Sequence, residues 1–196
     1  VLGNFLFTFR SFRGIVKRIA AGDLLLAGLP ANSNENVFAA GQHKSKEEHV
    51  MSEMVKDTNC AYCMQGELVA KFAYPVCEME TGFLYVFKEQ SKKGRVILAH
   101  KKHVSELIDL TDEERNDFFA EVAQVARAVH KVFHPDKVNY GAYGDTGCHL
   151  HFHIVPKYKG GEEWGGTFEM NSGRTILTDA EYEEMAEALR QALKEV

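Results

Sequence analysis

Histidine alternates with apolar residues three times between Gly147 and Pro156. A β-strand turns successive side chains to opposite faces of its sheet, so this pattern predicts a strand with all three imidazoles on one face. The opposite face carries Leu150, Phe152 and Ile154, which we expect to enter a hydrophobic core. The three rings then lie roughly 7 Å apart along a rigid line, an arrangement that suits metal ligation, nucleophilic catalysis or both.

The composition is that of an ordinary globular chain. It has 196 residues, of which 45% are apolar and 26% charged, enough for one domain with a core plus an extension. No apolar run reaches the ~18 residues of a transmembrane helix, so we expect no membrane partner for the core domain. The net charge of −5 argues against a dedicated nucleic-acid-binding protein but allows a small phosphate ligand to be held locally.

The four cysteines indicate a reducing compartment. Cys60 and Cys63 form a C-x-x-C motif, whereas Cys77 and Cys148 stand alone, which is not the pattern of a secreted disulfide framework. We therefore expect a cytoplasmic protein. In that compartment the motif is either half of a zinc site or a redox pair.

The chain divides into an extension and a working domain. Residues 1–22 are basic, and on a helix their phenylalanines share one stripe, which fits a membrane-surface helix, a transit-type peptide or an ordinary helix. Residues 29–50 are polar and show no period. We predict that residues 1–56 form an N-terminal extension, disordered or partly helical, and that 57–196 form the domain, which ends in a helix.

Strand and helix signals alternate through the second part. Residues 66–72 indicate a turn and strand; further strand patterns occupy 77–80, 83–87, 95–100 and 138–143. Thr111 and Glu114 form a capping box ahead of one long helix, and Thr178 or Asp179 caps a second. This order predicts an α+β domain with an antiparallel sheet.

Four motifs together resemble the histidine triad family of nucleotidyl hydrolases and transferases over about residues 57–170. They are His-φ-His-φ-His-φ-φ at 149–155 (φ, apolar), Cys-Ala-Tyr-Cys at 60–63, Val-Ile-Leu-Ala-His-Lys-Lys-His at 96–103, and Asn-x-Gly-x-x-Gly-x-Thr at 139–146. The resemblance implies a five-stranded antiparallel sheet with two main helices. It also implies a small nucleotide substrate and a homodimer.

The resemblance also assigns roles to residues of this chain. It implies a structural Zn²⁺ held by Cys60, Cys63, His103 and His149, a set that fills the four tetrahedral positions and leaves none for water. It makes His151 the nucleophile that forms a covalent nucleotidyl-histidine, with His153 as its partner. It implies that Asn139, Gly144, Thr146 and Gly147 bind the substrate, with the backbone N–H groups of residues 144–147 facing the phosphate oxygens.

Two departures from the family pattern concern the substrate. Asp145 occupies a position that is usually glutamine, and a carboxylate beside a phosphate is unfavourable unless it turns outward, is protonated or meets a cation. The family's ribose-binding acid has no clear counterpart, since the count back from His103 reaches Phe87. Trp164, after the triad strand, either closes over a leaving group or packs at a dimer contact.

Three functions fit the sequence. The first is a hydrolase or nucleotidyl transferase that acts on phosphoramidates, adenylated compounds or dinucleoside polyphosphates through His151. The second is a metal-dependent hydrolase in which the triad histidines hold a catalytic metal. The third is a zinc-stabilised nucleotide-binding module without turnover, which Asp145 favours.

Overall fold

The computed structural model describes residues 56–170 and 172–196. In chain order the elements are α1 (Ala61–Met64), α2 (Gly66–Ala70), β1 (Ala73–Glu78), β2 (Gly82–Phe87), β3 (Val96–His100), a 3₁₀ turn (Leu107–Asp109), α3 (Asp112–Phe133), β4 (Lys137–Gly141), β5 (His151–Lys157) and α4 (Asp179–Leu193). The predicted extension, with its basic amphipathic stretch, lies outside the described residues except for residue 56. In the described part of the chain, no helix has the length and apolar character that a membrane crossing requires.

The five strands form one sheet in the order β1-β2-β3-β5-β4, and every neighbouring pair is antiparallel. This confirms the predicted fold class. The histidine strand β5 lies between β3 and β4, where His151 is opposite Ala99 and His153 is opposite both Ile97 and Gly141. The sheet therefore supports the histidines from both sides.

The two faces of the sheet bury different residues. Leu98 and Ile154 pack against Phe118 of α3 and Leu189 of α4, and all four side chains are fully buried. Burial of such side chains contributes about 1.5–3 kcal/mol each, so this layer supplies most of the stability. The opposite face carries the histidines and a smaller cluster formed with α1 and α2. The predicted division of β5 into an apolar and a histidine face is confirmed.

Both predicted helix caps are present. The hydroxyl of Thr111 accepts from the backbone N–H of Glu114, whose side chain accepts in return, and Thr178 makes the same pair of bonds with Glu181. Each box satisfies backbone donors that a helix start leaves unpaired. α3 ends where His134 adopts a left-handed conformation with φ of 50°.

Several predicted boundaries were wrong. Residues 66–72 contain the helix α2 rather than a strand, because periodicity alone does not distinguish short apolar runs of the two kinds. The first strand spans Ala73–Glu78 instead of 77–80, and β4 ends at Gly141 rather than at 143. β5 begins only at His151, so His149 lies just ahead of it, and it continues through Pro156 to Lys157.

Candidate active site

Two cysteines and two histidines meet on the histidine face of the sheet. Cys60 and Cys63 come from α1 and its N-cap, His103 from the loop after β3, and His149 from the residues before β5. One ligand atom of each residue lies within 4.8 Å of the others. The Nδ1 of His149 is 3.3 Å from Cys60 Sγ and 3.5 Å from Cys63 Sγ, and His103 Nδ1 is 3.2 Å from Cys63 Sγ. The expected ligand set is thus gathered in space, and its binding of a metal stays a prediction.

The cluster fits a tetrahedral zinc ion. With Zn–S of about 2.3 Å and Zn–N of about 2.0–2.1 Å, the edges of the tetrahedron are roughly 3.3–3.8 Å long. The separations above agree with this, as does the 3.3 Å between Nδ1 of His103 and of His149. The Nε2–H of His149 donates to the His100 carbonyl at 2.8 Å, so its Nδ1 lone pair faces the thiols. Burial lowers the pKa of His149 to about 4, which keeps the ring neutral as a ligand must be.

His151 and His153 follow on the same face, with ring centroids 5.0 Å apart. The Nδ1 of His151 lies 2.8 Å from the backbone carbonyl of His149. Because a carbonyl only accepts hydrogen bonds, Nδ1 carries the proton and Nε2 keeps its lone pair. Burial lowers the pKa of His151 in spite of that hydrogen bond. His151 therefore offers a neutral nitrogen nucleophile.

Arg95 lies behind His153 and is fully buried. Its Nη2 is 3.1 Å from Nδ1 of His153, and because a guanidinium only donates, that Nδ1 accepts and Nε2 of His153 carries the proton. The guanidinium lies 3.9 Å from the ring centroid of Phe87 and donates to the carbonyl of Met170. Burial lowers the pKa of Arg95 to about 10, so it stays a cation at neutral pH. Burial and then the Arg95 charge lower the pKa of His153 to about 2.

Arg95 and Tyr62 also belong to this site, although neither was predicted from the sequence. The sequence does place Arg95 as a single charged residue at the start of an apolar strand. A charge is costly to bury unless other groups compensate it, so this position could have indicated a role in the site. Tyr62 lies between the two cysteines, and its ring centroid is 4.9 Å from that of His151 and 5.2 Å from that of His149. Its side chain therefore connects the cysteine turn to His149 and His151.

A cavity of about 700 Å³ opens beside His151 and His153. Its lining includes Thr146 and Gly147, two of the predicted phosphate-binding residues. Gly144 borders an adjoining cavity of about 590 Å³ that His151 also lines. The loop is therefore next to the histidines, as the family resemblance implies, and the roles of its residues remain predictions.

The other predicted substrate residues lie further away. Asn139 is opposite Val155, on the histidine face, but it borders neither of the two cavities. Asp145 is exposed and borders both. Trp164 lies in a separate cavity with Lys157, outside the histidine cavity. A groove of about 730 Å³ between α3 and α4 has no histidine in its lining, so the chemistry points to the histidine cavity.

The position counted for a ribose-binding acid has a different use here. Phe87 packs edge-on against His153, with centroids 5.7 Å apart. The neighbouring Glu89 is buried, and its carboxylate accepts hydrogen bonds from Ser91, Ser172 and the backbone N–H of Thr175. Although burial alone raises the pKa of Glu89, these bonds lower it. Glu89 thus anchors the segment before α4 instead of facing the cavity.

A five-stranded sheet with this histidine face, a nearby glycine loop and a Cys₂His₂ cluster defines a protein of the histidine triad class. A family model described as HIT domain matches residues 76–160. Residues 76–160 therefore carry a HIT domain, the domain of the histidine triad family.

Two curated relatives are similar in sequence. The chain is 26% identical over 121 residues to "Protein hit" of Bacillus subtilis, a match that covers 58% of this chain and 81% of the relative. It is 35% identical over 71 residues to the asymmetrical bis(5'-nucleosyl)-tetraphosphatase of Schizosaccharomyces pombe, over 34% of this chain and 39% of that enzyme.

Two solved structures share the fold. A histidine triad protein from Marinobacter aquaeolei has a TM-score of 0.59 at 19% identity, over 67% of this chain and 96% of that one. A zinc-bound histidine triad family protein from Mycobacterium smegmatis has a TM-score of 0.51 at 22% identity, over 70% of this chain and 94% of that one.

Proposed function

We propose that this protein is a hydrolase or nucleotidyl transferase that forms a covalent nucleotidyl-histidine on His151. The observation that carries the proposal is the hydrogen bond from Nδ1–H of His151 to the His149 carbonyl, because it leaves Nε2 as a neutral nucleophile beside the cavity. The relative from Schizosaccharomyces pombe supports a nucleotide substrate, since it is an asymmetrical bis(5'-nucleosyl)-tetraphosphatase.

In the proposed first step, Nε2 of His151 attacks the α-phosphorus of the bound nucleotide in line with the leaving group. The P–N bond forms as the bond to the leaving group breaks. Nε2–H of His153 donates to a phosphate or leaving-group oxygen, and Thr146 offers a hydroxyl from the loop. Most of the work is positioning and charge neutralisation, because phosphoryl-type transfer needs little other covalent help.

In the second step, water attacks the phosphorus and the P–N bond breaks. The nucleoside monophosphate leaves, a proton is released, and His151 returns to its neutral form. Asp145, exposed at the rim of the cavity, can turn outward from the phosphate. The backbone N–H groups of residues 144–147 are the donors we propose for the phosphate oxygens.

We also propose that Cys60, Cys63, His103 and His149 hold a structural zinc ion. The donor set and its spacing fit zinc, and the histidine triad family protein from Mycobacterium smegmatis that shares the fold is zinc-bound. When bound, the ion would clamp α1 against the start of β5 and take no part in the reaction. A ligand set that needs reduced thiols also favours the cytoplasm.

The catalytic-metal alternative has less support. Within the residues that the structure describes, the metal-ligating group takes only His149 from the triad. Both remaining histidines use Nδ1 for other hydrogen bonds.

We further propose that the chain pairs as a homodimer through β4, an edge strand whose Tyr140 is half exposed.

Trapping the intermediate tests the proposed function. The protein is mixed with an adenylated substrate, quenched in base and digested, and AMP is located by mass spectrometry. We expect the adduct on His151 and no turnover by His151→Ala, whereas His130→Ala, which alters an exposed histidine of α3, should match the unmodified protein. Nucleotide binding without any product would instead support the binding-module hypothesis.

A further inference from the structure

Arg95 is a cation buried without a carboxylate partner. It has no exposed surface, and in the described part of the chain no acidic oxygen lies within 4 Å of its guanidinium. Its contacts are the rings of Phe87 and Phe168, the carbonyl and Sδ of Met170, and the Nδ1 of His153, and its Nε has no partner. Glu89 acts on Arg95 only as a more distant charge. A buried charge is costly unless something compensates it, and the cavity that Arg95 helps to line is where an anion can do so.

The contact between Arg95 and His153 also fixes one protonation state. An imidazolium has N–H at both nitrogens, so protonated His153 would turn a donor toward the guanidinium, which is itself only a donor. The two groups can therefore stay 3.1 Å apart only while His153 is neutral. His153 thus keeps a proton on Nε2 that it can share in a hydrogen bond but cannot readily give away, because a neutral imidazole is a very weak acid.

This restriction separates leaving groups by their chemistry. The nitrogen of an amine leaving group must gain a proton as its bond to phosphorus breaks, and that needs a general acid. A phosphate or polyphosphate leaves as an oxyanion with the bonding electron pair and needs no proton. A hydrogen bond and a nearby fixed cation are the help that such an anion requires.

We propose that Arg95 is a positioning residue that holds His153 as a neutral Nε2–H donor, and that the site is thereby specialised for leaving groups that depart as phosphate-type anions. This inference rests on the proposed function and specifies its substrate class. The nucleotidyl group moves to Nε2 of His151, the P–O bond to the leaving phosphate breaks, and the departing oxygen keeps the electron pair. Water then releases the nucleotide and one proton.

The experiment compares two substrates with the same adenylyl group. Diadenosine tetraphosphate loses an anionic leaving group, and an adenosine 5'-phosphoramidate of a simple alkylamine loses an amine. We expect Arg95→Gln to lower kcat/KM for the tetraphosphate so that the ratio of the two values falls by about tenfold or more, since one fixed charge is removed from a buried site. Arg95→Lys keeps the positive charge but not the guanidinium fork, so it should lower the ratio less than Arg95→Gln does.

Lys157 provides the matched control. It is also a buried cation, and its Nζ donates to the carbonyls of Glu163 and Gly166, away from His153. We expect Lys157→Gln to reduce the melting temperature without a change in the substrate ratio. A purely structural role of Arg95 requires that Arg95→Gln lower kcat/KM for both substrates by the same factor. That result overturns the inference.

A measurement on the unmodified protein covers the case in which Arg95→Gln does not fold. The ¹⁵N chemical shifts of His153 at pH 7 should report an unprotonated Nδ1 and a protonated Nε2, and a proton on Nδ1 would overturn the inference. Cleavage of the phosphoramidate in preference to the tetraphosphate overturns it as well, while the proposed function stands. If neither substrate is cleaved and no adduct forms on His151, both fail.

Discussion

Loss of the proposed zinc ion, or of one of its cysteine ligands, should detach α1 from the sheet. α1 has only four residues, too few to form a helix alone, so its position depends on the cysteine ligands and on the packing of Tyr62. Tyr62 is 8% exposed. A buried tyrosine removes roughly 200 Å² from water, which at about 25 cal/mol per Å² is about 5 kcal/mol as an upper bound. We therefore expect Cys60→Ala, or a strong chelator, to lower the free energy of unfolding by about 3–5 kcal/mol.

Thermal unfolding measures this loss, with metal content determined in parallel. For a domain of this size, 3–5 kcal/mol corresponds to a fall in melting temperature of about 10 °C. Cys77→Ala is the control, because Cys77 is a half-buried thiol on β1 outside the cluster. The reasoning is refuted if Cys60→Ala keeps its zinc and its melting temperature, or if Cys77→Ala loses as much zinc.

Three further predictions concern the core, a helix cap and acid sensitivity. Phe118→Ala empties a fully buried position under β5 and should cost about 3–5 kcal/mol by chemical denaturation; a cost below about 1 kcal/mol would contradict the packing described here. Thr111→Ala removes the α3 cap and should cost about 1 kcal/mol, whereas an unchanged midpoint would show that the cap contributes little. The pKa of His153 is lowered to about 2 by burial and Arg95, so below about pH 6.5 the unfolded chain takes up a proton that the native protein does not, and stability falls as pH falls. Between pH 7 and 5.5, the free energy of unfolding of His153→Gln should fall by about 1.3 kcal/mol less than that of the unmodified protein, as paired denaturant titrations measure. Equal falls for the two proteins would place the proton uptake at another group.

The Cys₂His₂ cluster and the proposed nucleophile His151 are both connected to His149. Its Nδ1 faces the cysteine thiols, while its backbone carbonyl accepts from Nδ1–H of His151. Tyr62 adds a second connection, since it packs on the rings of both histidines. A change at the cluster should therefore alter the orientation of His151, even though the metal takes no part in the proposed reaction.

The sequence by itself determined which side chains share a face. Alternation on β5 separated the histidines from Phe152 and Ile154, and the capping boxes at Thr111 and Thr178 fixed two helix starts. These features depend on the geometry of a strand or of one helical turn, so neighbouring residues are enough to specify them. Short or ambiguous runs gave errors, as at α2, because packing against the sheet decided their conformation.

Only the tertiary structure decided which distant residues meet. Nothing near Arg95 in the sequence indicates that its guanidinium reaches the Nδ1 of His153, 58 positions away, or that Tyr62 covers His151. Those contacts depend on strand order and register, in which Ile97 of β3 lies opposite His153 of β5. A local pattern gives the side of an element on which a residue lies. The residue that it contacts on another element is set by strand register and long-range packing. The proton position of His153 follows from its long-range contact with Arg95, whereas that of His151 follows from the carbonyl of His149 two residues away.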